Sequence, residues 1–277
     1  MQITEIIELD RYPLHEPGSE DGIALFNSVR AALQDSGSCT LDGFVTDAAR
    51  QKMVSQAESL TDLAYPGPTQ VSPYFFDYAI GEHLQVDDAH PTRRKGRRNL
   101  RQVAADLIPA DHLLSRLYRS PLMTDFLSSV LQVPVYRNQD KYQSLNISVM
   151  EEGGCQQWHF DGGNMVTTLL LQAPESGGNF EYVPNIRTED DENFDRVREV
   201  LDGRSHDVRT INLQPGTLSL FRGHYSLHRV TEVGGAKRRL QAILGYTTRP
   251  NLVGSLDSSI LHYGPRVARL ENNASNQ

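Results

Sequence analysis

Residues 155–165 read CQQWHFDGGNM and set His159 and Asp161 one residue apart. Side chains two positions apart on a strand share a face, so this pair places one imidazole and one carboxylate where both can reach a single metal ion. A second imidazole follows much later, in SLFRGHYSLHRVTEV (residues 219–233), with His228 as the candidate.

The surroundings of the pair are those of a barrel wall. In YQSLNISVM (Tyr142 to Met150) Leu145, Ile147 and Val149 fall on one face and Tyr142, Ser144, Asn146 and Ser148 on the other. The turn Glu151-Glu152-Gly153-Gly154 leads into the His159 strand, the loop Gly162-Gly163-Asn164 leaves it, and the apolar run VTTLLLQ begins at Val166. Downstream, QPGTLSLF (Gln214 to Phe221) has a Pro-Gly turn and alternating apolar residues, and His228 opens the next strand. On the strand after the VGGAK turn, Arg239, Gln241, Ile243 and Gly245 share a face. An inward arginine beside a metal is costly unless it holds an anion, which a guanidinium does best with a carboxylate. The expected fold is therefore mainly β with flanking helices, a double-stranded β-helix (jelly-roll, cupin-like) core with N-terminal helical support. Two histidines and one carboxylate on one face of an octahedron leave three positions open, as in non-heme Fe(II) oxygenases.

Each of these residues also has a plainer use. A His-x-Asp pair is weak evidence alone, and Asp161 before two glycines suits a turn-capping role. His224, four residues before His228, offers the same chemistry, and motif order alone separates the two. Trp158 serves equally as a core aromatic or as a ring packed beside the metal. His15, His83, His90, His112, His206 and His262 have no partner at ligand spacing and read as ordinary histidines.

The strings WHFD, VTTLLLQAPESGGNFEYVPNIR and FRGHYSLHRVT resemble the Fe(II)/2-oxoglutarate-dependent dioxygenases, in a bacterial branch of free amino-acid halogenases and hydroxylases. The resemblance spans roughly Tyr136 to Pro250. It implies His159, Asp161 and His228 as iron ligands and Arg239 as the 2-oxoglutarate anchor, with Arg238 in its place if the register differs by one. Asn146 and Thr168 are further candidates for the keto-acid site. In halogenating members a Gly or Ala replaces the acidic ligand and opens a position for chloride; this chain keeps Asp161, which implies oxidation without halide transfer. The cofactors implied are Fe(II), 2-oxoglutarate as co-substrate and O2, with succinate and carbon dioxide as by-products. Hydroxylation is the expected outcome, with desaturation or ring closure as alternatives.

Candidate substrate residues are Tyr142, Trp158, Ile243, Tyr263 and either Arg97 or Arg98. The last two belong to the basic run PTRRKGRRNLRQ, otherwise a solvated surface, and one of them pairs with a substrate carboxylate in the functional reading. No acidic group falls on the inward strand face. A buried cation is costly without one, so the expected substrate is amino-acid-like with a neutral or polar far end. The rivals are a cupin-like metal enzyme without a keto acid and a ligand-binding barrel without iron.

The chain has 277 residues and a net charge of −8. That size permits one large domain over 1–277, with helical support and a lid in 1–135, the core in 136–250 and an extension in 251–277. The negative charge disfavours nucleic acid, whose phosphates need a basic face. No apolar stretch approaches the ~20 residues of a membrane span, and the start lacks the order of a signal peptide. Cys39 and Cys155 make no disulfide framework. A cytoplasmic enzyme without a membrane or nucleic-acid partner is expected. Helical spacing is read in GIALFNSVRAALQDSG, from Thr46 to Leu60, in ADHLLSRLYRS and SPLMTDFLSSVLQ, and across TEDDENFDRVREVLDG. The tract from Ala64 to Arg97 reads as a lid or a long connection, and the last dozen residues as a frayed end.

Overall fold

The computed structural model describes residues 1–77 and 79–275. In chain order its helical and extended elements begin with α1 (Ile3–Ile6), α2 (Glu20–Ser36), β1 (Ser38–Leu41), α3 (Asp47–Glu58), β2 (Gln70–Val71), α4 (Ala79–Glu82), β3 (Gly96–Asn99) and β4 (Arg101–Val103). They continue with α5 (Leu113–Arg119), α6 (Pro121–Leu131), β5 (Tyr136–Arg137), β6 (Leu145–Met150), β7 (Cys155–His159), β8 (Val166–Gln172), β9 (Ser176–Gly177) and β10 (Phe180–Val183). The remainder are α7 (Phe194–Leu201), β11 (Arg209–Ile211), β12 (Leu218–Phe221), β13 (Leu227–Val230), β14 (Val233–Gly234), β15 (Arg239–Leu244), β16 (Tyr246–Thr247), α8 (Leu256–Tyr263) and α9 (Arg266–Ser275).

Two antiparallel six-stranded sheets form the core, in the orders β1-β12-β8-β15-β6-β4 and β11-β10-β13-β7-β3-β2. The pleat sorts the first sheet's side chains into two sets. Leu145, Ile147, Val149, Leu169, Leu171, Leu218, Leu220, Leu240, Ala242 and Leu244 join one apolar cluster with Phe26, Val29 and Leu33 of α2, Met53 of α3, Leu117 of α5 and Phe126 of α6. Alternate residues of the same strands, among them Asn146, Ser148, Thr168, Ser219, Arg239 and Gln241, line a cavity on the other face. The N-terminal helices thus cover one face of the sheet and leave the other to chemistry, an arrangement driven by burial of the leucine-rich face.

Local signals set the helix ends. Ser19 accepts from the Gly22 amide at 3.0 Å at the start of α2, so the helix begins earlier than the expected Gly22. It ends on Gly37 at φ 68°, which a residue with a Cβ adopts at a cost. Thr46 caps α3 through the Ala49 amide at 3.2 Å, and Pro121 opens α6.

Two expectations need correction. TEDDENFDRVREVLDG is helical only over α7, because the Thr188 hydroxyl accepts from the amides of Asp190 and Asp191 and folds the acidic run into a turn. Of the last dozen residues, 276 and 277 lie outside the described ones, and the rest form α9, where Val267 is fully buried and Arg266 holds Asp106 through two hydrogen bonds of 2.7 Å. The tract from Ala64 to Arg97 contributes β2, a short turn at Phe75–Asp77, and α4. Among the described residues no helix is long and apolar enough to cross a membrane.

Candidate metal centre and substrate cavity

β7 ends at His159, and Asp161 lies just beyond it in a bend held by its amide, which donates to the Gly223 carbonyl at 3.1 Å. The pair therefore converges through a strand end and a loop, and not through the shared strand face that the spacing suggests. His228 on β13 lies opposite His159 in register, with ring centroids 4.1 Å apart. Asp161 Oδ1 is 3.9 Å from His159 Nε2, and its Oδ2 is 3.3 Å from His228 Nε2. One ligand atom from each of the three lies within 4.8 Å of the others.

The hydrogen bonds of the two Nδ1 atoms set which ring nitrogens face the site. His159 Nδ1 donates to the Gln157 carbonyl and His228 Nδ1 to the Ser226 carbonyl, both at 2.9 Å. Because a carbonyl only accepts, each neutral ring keeps its proton on Nδ1 and presents Nε2 as a ligand atom. Burial, with His228 alongside, pushes His159 down to about 3, so it stays neutral. Burial alone would raise the Asp161 carboxyl, but His228, His159 and His224 together hold it below the usual carboxylate range. Two imidazoles that turn Nε2 inward and one carboxylate are a donor set that fits a ferrous ion.

Arg239 is 2% exposed and faces the cavity from β15. Its Nε donates to the Gly178 carbonyl at 3.2 Å, and no ion pair reaches it among the described residues. Burial lowers its pKa to about 10, so at neutral pH it is a buried cation without a counter-charge. Arg238 points away and pairs with Glu58 at 2.9 Å and Glu151 at 3.0 Å. Thr168 lines the cavity and accepts from Gln241 at 2.7 Å, and Asn146 lines it too, accepting from Gln102 at 3.2 Å. Ile243 sits opposite both in register.

The cavity, of about 270 Å³, also holds Arg98 and Tyr263. Arg98 is fixed by the carbonyls of Pro66 at 2.9 Å and Pro68 at 3.3 Å and by Gln102 at 2.8 Å. Burial brings its pKa to about 10, and no carboxylate pairs with it among the described residues. Three expected substrate residues lie elsewhere. Arg97 is on the surface, paired with Glu232 at 2.8 Å, because alternate residues of β3 face opposite ways. Tyr142 precedes β6, packs with Ala104, Tyr263 and Val267, and donates its hydroxyl to Glu271. Trp158 points to the opposite side of β7, into a cluster with Tyr74 and Phe160, under the Arg229 guanidinium at 4.7 Å.

His224 stands outside the ligand group. Its Nδ1 is 3.0 Å from Arg187 Nη2, and the same Arg187, fully buried, donates to the His224 carbonyl at 2.5 Å and pairs with Glu192 at 3.0 Å. Arg187 also lies 4.2 Å over the Phe160 ring, so one guanidinium braces both the His224 loop and the residue between His159 and Asp161.

Sequence reasoning passed over Phe76, His262 and Gln156. Phe76 stacks on His262 at 5.5 Å and 12° and reaches the His159 ring at 5.9 Å, so His262 is a cavity residue and not an ordinary core histidine. Gln156 Nε2 lies 2.9 Å from His159 Nε2. Only Gln156 carried a signal, three residues before His159; the other two come from an irregular tract and a C-terminal helix.

The sequence signature of the halogenase D family matches residues 79–259, more than half of the chain. No curated protein matches the chain in sequence. Among solved structures, the fold is similar to that of SnoN, a non-heme α-ketoglutarate-dependent epimerase from nogalamycin biosynthesis, with 14% identity over 81% of each chain and a TM-score of 0.57. It is also similar to AviO1 from Streptomyces viridochromogenes, with 14% identity over 81% of this chain and 95% of that one and a TM-score of 0.54. HygX from Streptomyces hygroscopicus, solved with nickel, 2-oxoglutarate and hygromycin B bound, matches at 13% identity over 79% of this chain and 86% of that one, with a TM-score of 0.53.

Proposed function

Because the chain belongs to the halogenase D family and carries the jelly-roll fold of the iron- and 2-oxoglutarate-dependent oxygenases, we propose that it oxidises an unactivated C–H bond of a small free amino acid or amino-acid derivative, by hydroxylation and without halide transfer. The observation that carries this reading is the His159, Asp161 and His228 group, in which a carboxylate stands among the metal-facing atoms. A negative charge there occupies the position a halide needs and repels it.

His159, Asp161 and His228 would hold the iron, and Arg239 would hold the far carboxylate of 2-oxoglutarate, with Thr168 and Asn146 as polar neighbours on the same wall. Iron and the keto acid together supply an oxidant able to take hydrogen from carbon, at the expense of O2, giving succinate and carbon dioxide. The chain's own part is placement. Arg98 supplies positive charge for a substrate carboxylate, and Ile243 and Phe76 shape the apolar walls between which the reacting carbon is held. Asp161 is the one carboxylate among the described lining residues, which favours a substrate whose far end is neutral or polar. A single domain and a cytoplasmic setting, where ferrous iron stays reduced, complete the reading.

The test is anaerobic mixing of purified protein with Fe(II) and 2-oxoglutarate. A visible charge-transfer band is expected, followed on exposure to oxygen and an amino-acid panel by a hydroxylated product, in mass spectra that stay free of chlorinated species even with chloride in excess. Metal-replete protein with no band would sink the keto-acid assignment, and a chlorinated product would sink the exclusion of halide.

A further inference from the structure

Arg98 and His262 bring unsatisfied atoms of opposite polarity to one cavity. Both side chains line it, Arg98 2% and His262 8% exposed. Arg98 Nε and His262 Nε2 are each buried without a hydrogen-bond partner. A guanidinium Nε–H can only donate. For His262 the polarity follows from the other nitrogen: Nδ1 lies 2.8 Å from the Ser258 carbonyl oxygen, which can only accept, so the neutral ring carries its proton on Nδ1. Nε2 is then a lone pair in need of a donor. Burial foremost, and the Arg98 charge, hold the ring's pKa down against the pull of the Ser258 carbonyl, which preserves the neutral form. Stacking on Phe76 and the nearby Phe75 ring at 5.4 Å fix the plane of the imidazole.

We propose that His262 reads the amino group of the substrate, accepting through Nε2 from the ammonium of an α-amino acid whose carboxylate is matched by Arg98. The inference rests on the proposed role of the cavity as a substrate site and deepens it, because it separates an α-amino acid from a simple carboxylic acid. A buried donor and a buried acceptor lining one cavity complement a molecule that carries an anion and a hydrogen-rich cation on the same carbon. A des-amino acid satisfies Arg98 but leaves the lone pair dry and unpaired. An amine lacking the carboxylate leaves the guanidinium without its counter-charge. A neutral histidine does this work without adding negative charge to a cavity that must also admit a dianionic keto acid.

The experiment is anaerobic calorimetric titration of the Fe(II)- and 2-oxoglutarate-loaded protein with L-norleucine and L-leucine, and with their des-amino counterparts hexanoate and isocaproate. In the wild type at least one amino acid is expected to bind about tenfold or more tighter than its counterpart, the factor set by a hydrogen bond to a charged group. His262→Phe, which keeps a ring on Phe76, is expected to bring that ratio close to one while leaving the des-amino affinity in place. His262→Gln, whose carbonyl oxygen can accept, is expected to recover part of the preference. A wild type indifferent to the amino group, or a His262→Phe variant that keeps the preference, overturns the inference. The charge-transfer band recorded on the same samples separates the two readings: the band with a flat preference removes only the role of His262, whereas loss of the band removes the oxygenase reading, and the calorimetric ratio is read in either case.

Discussion

Asp161 lies directly over Gly223: a Cβ at position 223 would collide with Asp161 Oδ2 and sit 2.7 Å from the carboxyl carbon. The backbone reinforces the contact, since the Asp161 amide donates to the Gly223 carbonyl. Gly223 has an ordinary backbone conformation, so its lack of a side chain serves the carboxylate and not the turn. Gly223→Ala is therefore expected to push the carboxylate from its place and weaken Fe(II) binding by about 10- to 100-fold, the range for groups that orient a metal ligand. Anaerobic metal titration with circular dichroism as a folding control reads the outcome; unchanged affinity would mean that the loop shifts instead.

The two adjacent arginines on β15 make a matched pair of controls. Arg239→Met is expected to cost about 2–5 kcal/mol of 2-oxoglutarate binding, because it removes one partner of a buried charge pair. Arg238→Met breaks only the part-exposed pairs with Glu58 and Glu151 and is expected to leave keto-acid affinity alone. Titration of the charge-transfer band measures both, and equal effects would contradict the register described above.

A similar contrast separates Arg97 and Tyr142 from the cavity. Arg97→Ala removes an exposed pair with Glu232 and is expected to cost no more than about 1 kcal/mol of stability. Tyr142→Phe removes the bond to Glu271 on α9 and should loosen that helix without altering turnover. Steady-state kinetics beside thermal melts would show this, and a changed KM for either variant would return that residue to the substrate site.

The metal-free protein should weaken with acid. Burial holds the His159 pKa near 3, below its ordinary 6.5, so its contribution is full above the unfolded value and declines as pH falls toward the folded one. One proton taken up on unfolding gives a slope of about 1.4 kcal/mol per pH unit, or about 2 kcal/mol between about pH 6.5 and about pH 5. Asp161, also depressed, adds a loss only below its unfolded value of about 3.9. Thermal unfolding across this range tests the sign; a melting temperature that rises on acidification would refute it.

The strands of the core were readable because their signal is local. Leu145, Ile147 and Val149 alternate with Asn146 and Ser148, and that period alone separates the helix-covered face from the cavity. Arg239 was legible for the same reason, and His228 less so, because His224 differs from it only in which way the loop turns. Phe76 and His262 had no such mark. They meet across about two-thirds of the chain's length, in a contact that closure of the tertiary structure creates and no spacing encodes. Tyr142 was misplaced because its strand starts three residues later than the alternation suggested, and α9 was missed because a polar sequence concealed the anchors Val267 and Arg266.

Phe76, Arg98, His262 and Tyr263 all come from outside residues 136–250, whereas His159, Asp161, His228 and Arg239 all lie within them. Heredity can act on the two groups separately. Under the proposed roles, substitutions in the early loops or in α8 would change which molecule is admitted, while the strands that carry His159, His228 and Arg239 stay as they are. A lineage built this way can diversify its diet without relearning its chemistry.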